Sequence, residues 1–272
     1  MMKAVKSKQG ADLKKARRYR GADLRAKRRR SMEQILIFAM SVLASFVMTT
    51  TAFGYAIVIM MVLPLIVPAT AGSALATAGS AVVLLWSLLR YVRYLERKKI
   101  LLPALCSVTA AVLGVVYDLR ISAKMYELLL GVLLFALSLW FWKFSARVRL
   151  PVNPLTGAAA GIISGLCGAL FAVNGPPLVL YYNYASQSKE SHMASVQTIL
   201  LIQTAALCAA RTAVGAWPEG MGSYLLPLLT GAALGILPGT LLFSCIDTER
   251  FKKVIYAVMC AAGIYFAARA VL

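Results

Sequence analysis

Charge is what this sequence has least of along most of its length. Residues 34–89 carry no charged side chain, nor do residues 150–188. Further apolar blocks occupy 100–117, 128–142, 191–210, 222–245 and 254–268. Of the 272 residues, 60% are hydrophobic and 14% charged, more apolar surface than a water-soluble domain of this length could cover. About 20 apolar residues cross a bilayer as a helix, so the pattern predicts an all-α, polytopic integral membrane protein. Short alternating segments are absent, which excludes an outer-membrane barrel. The chain has a single His, and no pair among its five cysteines (Cys106, Cys167, Cys208, Cys245, Cys260) is spaced as CxxC. A Cys/His metal site is thereby excluded, and the cysteines read as small packing residues. There is no P-loop, GxSxG, HExxH or paired intramembrane Asp, so direct ATP drive and enzymatic chemistry find no support and no cofactor is expected.

Acids are scarce as well, 10 against 29 Lys and Arg, for a net charge of +19. Thirteen of those basic residues fall within residues 1–30, against Asp12 and Asp23. Residues 1–31 therefore read as a basic cytoplasmic tail, too long and too basic for the start of a cleaved signal. The tail is either disordered or a basic helix lying on anionic lipid headgroups. It contains an echo, GADLKKARRYR then GADLRAKRRR, but no aromatic interleaving beyond Tyr19, so no nucleic-acid partner is expected.

The remainder reads as two pseudo-symmetric halves, residues 32–150 and 151–272. Each opens on a long uncharged block that is interrupted, by TTTAFGYA (49–56) in the first half and FAVNGPPL (171–178) in the second. Small-residue helix starts follow, SALATAGS (73–80) and SHMASVQT (191–198), pairing Ala76 with Ala194 and Thr77 with Ser195. LLPALCSVTAAVLG and LLPLLTGAALGILPG come next, and each half closes on an aromatic-containing span. The expected fold has about eight transmembrane helices plus one or two half-membrane segments. Duplicated halves with broken helices are a common transporter plan. If residues 34–89 cross out and back, the basic tail, RYVRYLERKK (90–99) and KFSARVR (143–149) share the cytoplasmic side, whereas ERFKK (249–253) conflicts with them. Inverted halves are one resolution, and the sequence leaves inverted and parallel open.

The stretch VNGPP (173–177) carries the functional argument. Neither proline has an N–H to give a helix, and each disfavours α conformation in the residue before it. A backbone break at membrane depth is tolerated only where it is buried in protein or lines a cavity. The helix starting at Pro176 or Pro177 would offer free N–H groups and a partial positive charge to an anion, and the Asn174 amide would add a donor and an acceptor. The alternative is an ordinary hairpin loop at the membrane surface. The same choice applies to Thr49, Thr50 and Thr51, whose hydroxyls either bond their own helix or contact substrate.

GIISGLCGALFAVNGPPLVLYY resembles the second-half signature of the sulfite exporter TauE/SafE family of bacterial membrane transporters. Gly161, Gly165, Gly168, Gly175, Pro176, Pro177 and the Ala194–Ser195 pair fit its glycine-rich pattern. In the first half Gly54 and Ala76–Thr77 fit, while Ser45 and Thr49–Thr51 stand where glycines would be expected, and Asn174 also replaces a usual Gly. The resemblance implies transport of a small sulfur-containing or organic anion, such as sulfite or a sulfonate, coupled to an ion gradient.

The resulting expectation is a secondary carrier in the bacterial cytoplasmic membrane, with a multi-pass topology and a cytoplasmic N-terminus. Its substrate site draws on Asn174, Gly175, Pro176, Thr50, Thr51, Gly54, Thr77, Ser195, Gln197 and Arg211. Arg211 is either an anion attractor or a residue reaching the headgroups. Gln197 and Gln203, with Thr198 and Thr204, either glue helices or line a path. His192 reads as interfacial. Glu127 is the one acid well inside a span-like region, so no buried carboxylate relay for protons is evident. The partners expected are a small anion, a coupling proton or sodium ion, and anionic lipid at the tail, with a homodimer also possible. An anion channel and a non-transporting membrane scaffold that works through its basic tail are the alternatives.

Overall fold

The computed structural model describes residues 2–118, 121–143, 151–217, 220–241 and 248–271, with side chains for 27–116, 121–143, 151–217, 220–241 and 256–270. The described chain is helical: α1 (Met2–Thr51), α2 (Tyr55–Val62, continued by a 3-10 turn Leu63–Leu65), α3 (Ala69–Tyr91, extended by Val92–Tyr94), α4 (Arg97–Asp118), α5 (Ala123–Lys143), α6 (Pro154–Phe171), α7 (Gly175–Ala185), α8 (Lys189–Ala213), α9 (Gly222–Leu241) and α10 (Thr248–Val271). Seven of these are long and apolar enough to cross a membrane, and the segments Tyr55–Leu65 and Tyr256–Ala270 are shorter apolar helices.

The chain divides into two units, residues 1–36 and 37–272. The first is helical, with Arg29 Nε bonded to Glu33 Oε1 at 3.0 Å one turn on. An exposed i,i+4 pair of this kind contributes only about 0.3–0.5 kcal/mol.

Contacts within the second unit fix the direction of every helix. The two faces of the bundle are named here for the residues that begin α3 and α4, the Ala69 face and the Arg97 face. α8 runs antiparallel to α3, because Arg211 at its end bonds Ser73 and Ser191 at its start bonds Glu96. α6 runs parallel to α4: a β-carbon on Gly161 would lie 3.2 Å from Cys106 Cβ, and one on Gly165 would lie 2.7 Å from Ala110 Cβ. α7 then folds back along α6. Ser164 Oγ donates to Asn174 O at 2.6 Å, and Gly157 faces the Tyr181 ring. The α6/α7 hairpin therefore opens toward the Arg97 face. With 11 residues, α7 is roughly 16 Å long, about half the hydrocarbon thickness.

The first half does the same upside down. Ser41 Oγ donates to Leu228 O and Ser45 Oγ to Ala232 O, both at 2.6 Å, so α1 from Ile37 onward runs parallel to α9. α2 turns back along α3, with Tyr55 against Gly79 and Met60 and Leu63 against Gly72. This hairpin opens toward the Ala69 face. The two halves are inverted. Two αL residues without a glycine's freedom, Ala52 (φ 69°) and Ala172 (φ 59°), mark equivalent points 120 positions apart.

α5 and α10 form an antiparallel pair. A β-carbon on Gly131 would lie 2.8 Å from Gly263 O, and one on Gly263 would lie 2.9 Å from Gly131 O. The reciprocity is what a two-fold relation between the halves produces. At the ends of this pair Phe141 stacks on Tyr256, and Arg269 Nε lies 3.5 Å from Glu127 Oε2.

The hairpins bear on two points that the sequence leaves open. Residues 34–89 do not simply cross out and back, because α2 turns round within the bundle: α1 from Ile37 onward and α3 start at the same face, and the 90–99 loop lies at the opposite one. The start of α10, which holds ERFKK, shares the Arg97 face with that loop, so the charge conflict between those two clusters disappears. Residues 144–149 of KFSARVR lie outside the described residues.

Candidate functional site

The two helix breaks meet. A single cleft is lined by Phe53, Gly54, Tyr55, Ala56 and Ile57 from the first break and by Ala172, Val173, Asn174, Gly175 and Pro176 from the second, with Met48, Ser80, Leu84 and Leu200 completing its wall. It has room for about one water centre, roughly 20 Å³. No lining residue carries a charge.

Local chemistry explains each break. Thr49, Thr50 and Thr51 each bond a carbonyl one turn back in α1, at 2.9 to 3.1 Å. Thr51 Oγ1 also donates across the break to Phe53 O at 2.6 Å. The hydroxyls thus close the end of α1. At the second break the last carbonyls of α6 are taken up from outside the helix. Arg211 Nη2 donates to Ala169 O at 2.8 Å, and the Tyr126 hydroxyl donates to Leu170 O. Arg211 is 2% exposed, so it does not reach for headgroups. It places a cation at the negative end of the α6 dipole.

α2 starts at Gly54 (φ 108°) without a side-chain cap, and its first N–H groups, from Tyr55, Ala56 and Ile57, belong to residues that line the cleft. α7 starts at Asn174, also without a side-chain cap, and its prolines leave Gly175 as the first-turn donor at the cleft.

A family model described as sulfite exporter TauE/SafE matches residues 37–266. The chain belongs to that family. Comparison with curated proteins and with solved structures returns no match. TauE/SafE proteins are multi-pass membrane transporters of sulfur-containing anions and not enzymes. The family match begins at Ile37, where the second unit begins.

Within this TauE/SafE chain, Gly54, Asn174, Gly175 and Pro176 come together at the cleft. Thr50 and Thr51 shape the break beside it. Thr77 bonds Ser73 O at 2.7 Å, and Ser195 is buried in α8; neither lines the cleft. Gln197, 1% exposed, reaches Met48 O through Nε2 at 3.4 Å, and its Oε1 is buried without a partner among the described residues. Gln203 is glue: its Oε1 accepts from Ser107 Oγ at 2.8 Å and Ser164 Oγ at 3.2 Å, while Nε2 donates to Ser164 O at 3.1 Å. Ser164 also holds Asn174 O, so this buried cluster fixes the second break to α4 and α8.

Sequence reasoning missed Phe53, Tyr55, Ser80 and Leu200 at the cleft, and missed the role of Ser41 and Ser45. The serine signal was available. Aligning the breaks by 120 positions puts Ser41 on Gly161 and Ser45 on Gly165, so the small-residue positions of α6 recur in α1.

Proposed function

We propose that this protein is a secondary carrier that moves a small sulfur-containing or organic anion, with sulfite and sulfonates as the leading candidates, across the bacterial cytoplasmic membrane. The observation that carries the reading is the shared cleft: two inverted helix breaks present their helix starts to one uncharged space between the halves. Such a site holds an anion by backbone N–H groups and helix dipoles and needs no countercharge beside it. Asn174 and the N–H groups of Gly175, Tyr55, Ala56 and Ile57 are the proposed donors. Gln197 supports the wall through Met48. A proton or sodium ion driving the cycle is part of the same reading.

The cleft has room for little more than one water, which favours a carrier that opens by moving helices over a standing pore. The test is flux in proteoliposomes, with thermal-shift screening against sulfite, sulfate, thiosulfate, sulfonates and carboxylates to find the ligand. Asn174→Leu is expected to abolish saturable uptake while leaving the melting temperature within a few degrees of the parent. Full flux in that variant would remove Asn174 and the cleft from the mechanism.

A further inference from the structure

α3 and α8 lie antiparallel through the centre of the bundle, and each end of the pair is held by one serine and one ionised side chain. At the Arg97 face, Ser191 Oγ in the first turn of α8 donates to Glu96 Oε1, just beyond α3, at 2.6 Å. At the Ala69 face, Arg211 Nη2 in the last turn of α8 donates to Ser73 Oγ, near the start of α3, at 2.9 Å. The alignment that pairs Ala76 with Ala194 also pairs Ser73 with Ser191. The serines of the two clasps are therefore counterparts under the inversion, whereas the ionised groups they meet, Glu96 and Arg211, come from non-equivalent positions and are opposite in charge.

Each clasp also takes hold of the α6/α7 hairpin. Beside Glu96, Lys99 Nζ sits 2.6 Å from Glu96 Oε2 and donates to Ala185 O, the last residue of α7, at 3.0 Å, while the Tyr182 hydroxyl donates to Lys99 O at 2.9 Å. Arg211, for its part, donates to Ala169 O near the far end of α6. Between them lies the cleft. Ser80 lines it seven residues after Ser73, and Leu200 lines it nine residues after Ser191, about 10 and 14 Å along their helices. A sulfur oxyanion is larger than this space, so the helices around the cleft have to move apart to admit one.

We propose that these clasps are the two gates of the carrier: Glu96–Ser191, with Lys99, closes the cleft toward the Arg97 face, and Arg211–Ser73 closes it toward the Ala69 face. This rests on the carrier reading above. Bonds to ionised groups are the strong ones among hydrogen bonds, which suits an element that must hold until displaced. The cation that an entering anion would capture differs at the two ends. An anion entering from the Ala69 face can take the guanidinium of Arg211 away from Ser73 and the Ala169 carbonyl. One entering from the Arg97 face can take the Lys99 ammonium away from Glu96 and Ala185.

Side-selective accessibility tests the proposal without needing the substrate. Full-length protein with its native cysteines replaced and Ser80→Cys introduced into the cleft is placed in right-side-out and in inverted vesicles, then labelled with a membrane-impermeant maleimide. Ser191→Ala and Ser73→Ala are each compared with the parent, and Glu96→Gln serves as a second variant of the first clasp. Each serine variant is expected to speed labelling on the order of tenfold, the change for losing a hydrogen bond of about 1.4 kcal/mol, from one side only and from opposite sides. Glu96→Gln should follow Ser191→Ala. Unchanged rates, or acceleration from both sides at once by each variant, would overturn the gates. Flux is read separately. Side-selective labelling without flux of any candidate anion counts against the carrier reading and leaves the clasps, whereas flux without side-selectivity counts against the clasps alone.

Discussion

Phe53 and Gly175 touch across the two helix breaks. A β-carbon on Gly175 would overlap the Phe53 Cβ and lie 3.1 Å from its Cγ. The Phe53 ring in turn stacks on Phe141 at 5.3 Å, and Phe141 stacks on Tyr256 at 5.3 Å, so a short aromatic column joins the breaks to the α5/α10 pair. Gly175→Ala is expected to destabilise the protein by about 1–3 kcal/mol through overpacking. Combining it with Phe53→Gly should recover part of that loss, because the overlap is with the Phe53 Cβ, which only glycine removes. Thermal unfolding of the two single variants and the double variant in detergent measures the coupling, and additive effects would contradict the contact.

Gln203 joins three helices, and its removal should cost more than its polarity suggests. Gln203→Leu leaves the Ser107 hydroxyl without its acceptor and takes a donor from the Ser164 carbonyl, at about 1–3 kcal/mol for the buried groups left unpaired. Adding Ser107→Ala should restore part of the loss, since no orphaned hydroxyl then remains at that position. The melting temperatures of the single and double variants check this, and a double variant less stable than the single one would contradict it.

Glu96 gives the stability a pH dependence of known sign. The Lys99 ammonium bonded to it, followed by the Ser191 hydroxyl, holds its carboxyl below the usual carboxylate range. A carboxyl whose folded value is depressed stabilises the fold at pH above its unfolded value, and that contribution fades as pH falls through the unfolded and then the folded value. The titratable groups that interact with it are Lys99 from α4 and Tyr182 from α7. The melting temperature of the parent should therefore drop faster than that of Glu96→Gln as pH is lowered from neutrality toward 3, roughly from the ordinary glutamate value downward. Parallel curves for the two proteins would remove Glu96 from the acid response.

Inverted hairpins also predict which surfaces share a side of the membrane. Leu95, in the loop before α4, and Ala270, at the end of α10, should react with an impermeant thiol reagent from opposite sides when each is replaced by Cys. Were α7 instead to continue α6 across the membrane as one broken span, they would lie on the same side, so labelling in vesicles of both orientations decides between these two topologies.

The membrane class and the helix breaks are legible because each depends on local composition: uncharged length, proline and glycine. The direction of α2 and α7 is not, since 11 apolar residues fit both a re-entrant segment and part of a crossing helix. With the hairpins unresolved, the position of ERFKK could not be settled either. Arg211 illustrates a different limit. Its place near a helix end suggests the membrane surface, and only packing against α6 shows that it is buried beneath a broken helix. Gln203 and Ser164 lie 39 residues apart, and no local pattern announces that they meet.

The small-residue seams have a consequence for how the halves depend on each other. Along the Pro103–Ala111 stretch of the α4/α6 seam the second half supplies the bare glycines, at Gly161 and Gly165, and the first half supplies the bulk, whereas farther along Gly114 of the first half faces Ala169 of the second. Between α1 and α9 the second half again supplies the glycines, at Gly231 and Gly235, against Ser41 and Ser45 of the first. Two copies of the second half would set glycine against glycine and leave both seams slack, and two copies of the first would crowd serine against proline and serine. The halves meet as a plug and its socket, and a second copy of either would not fill the other's place.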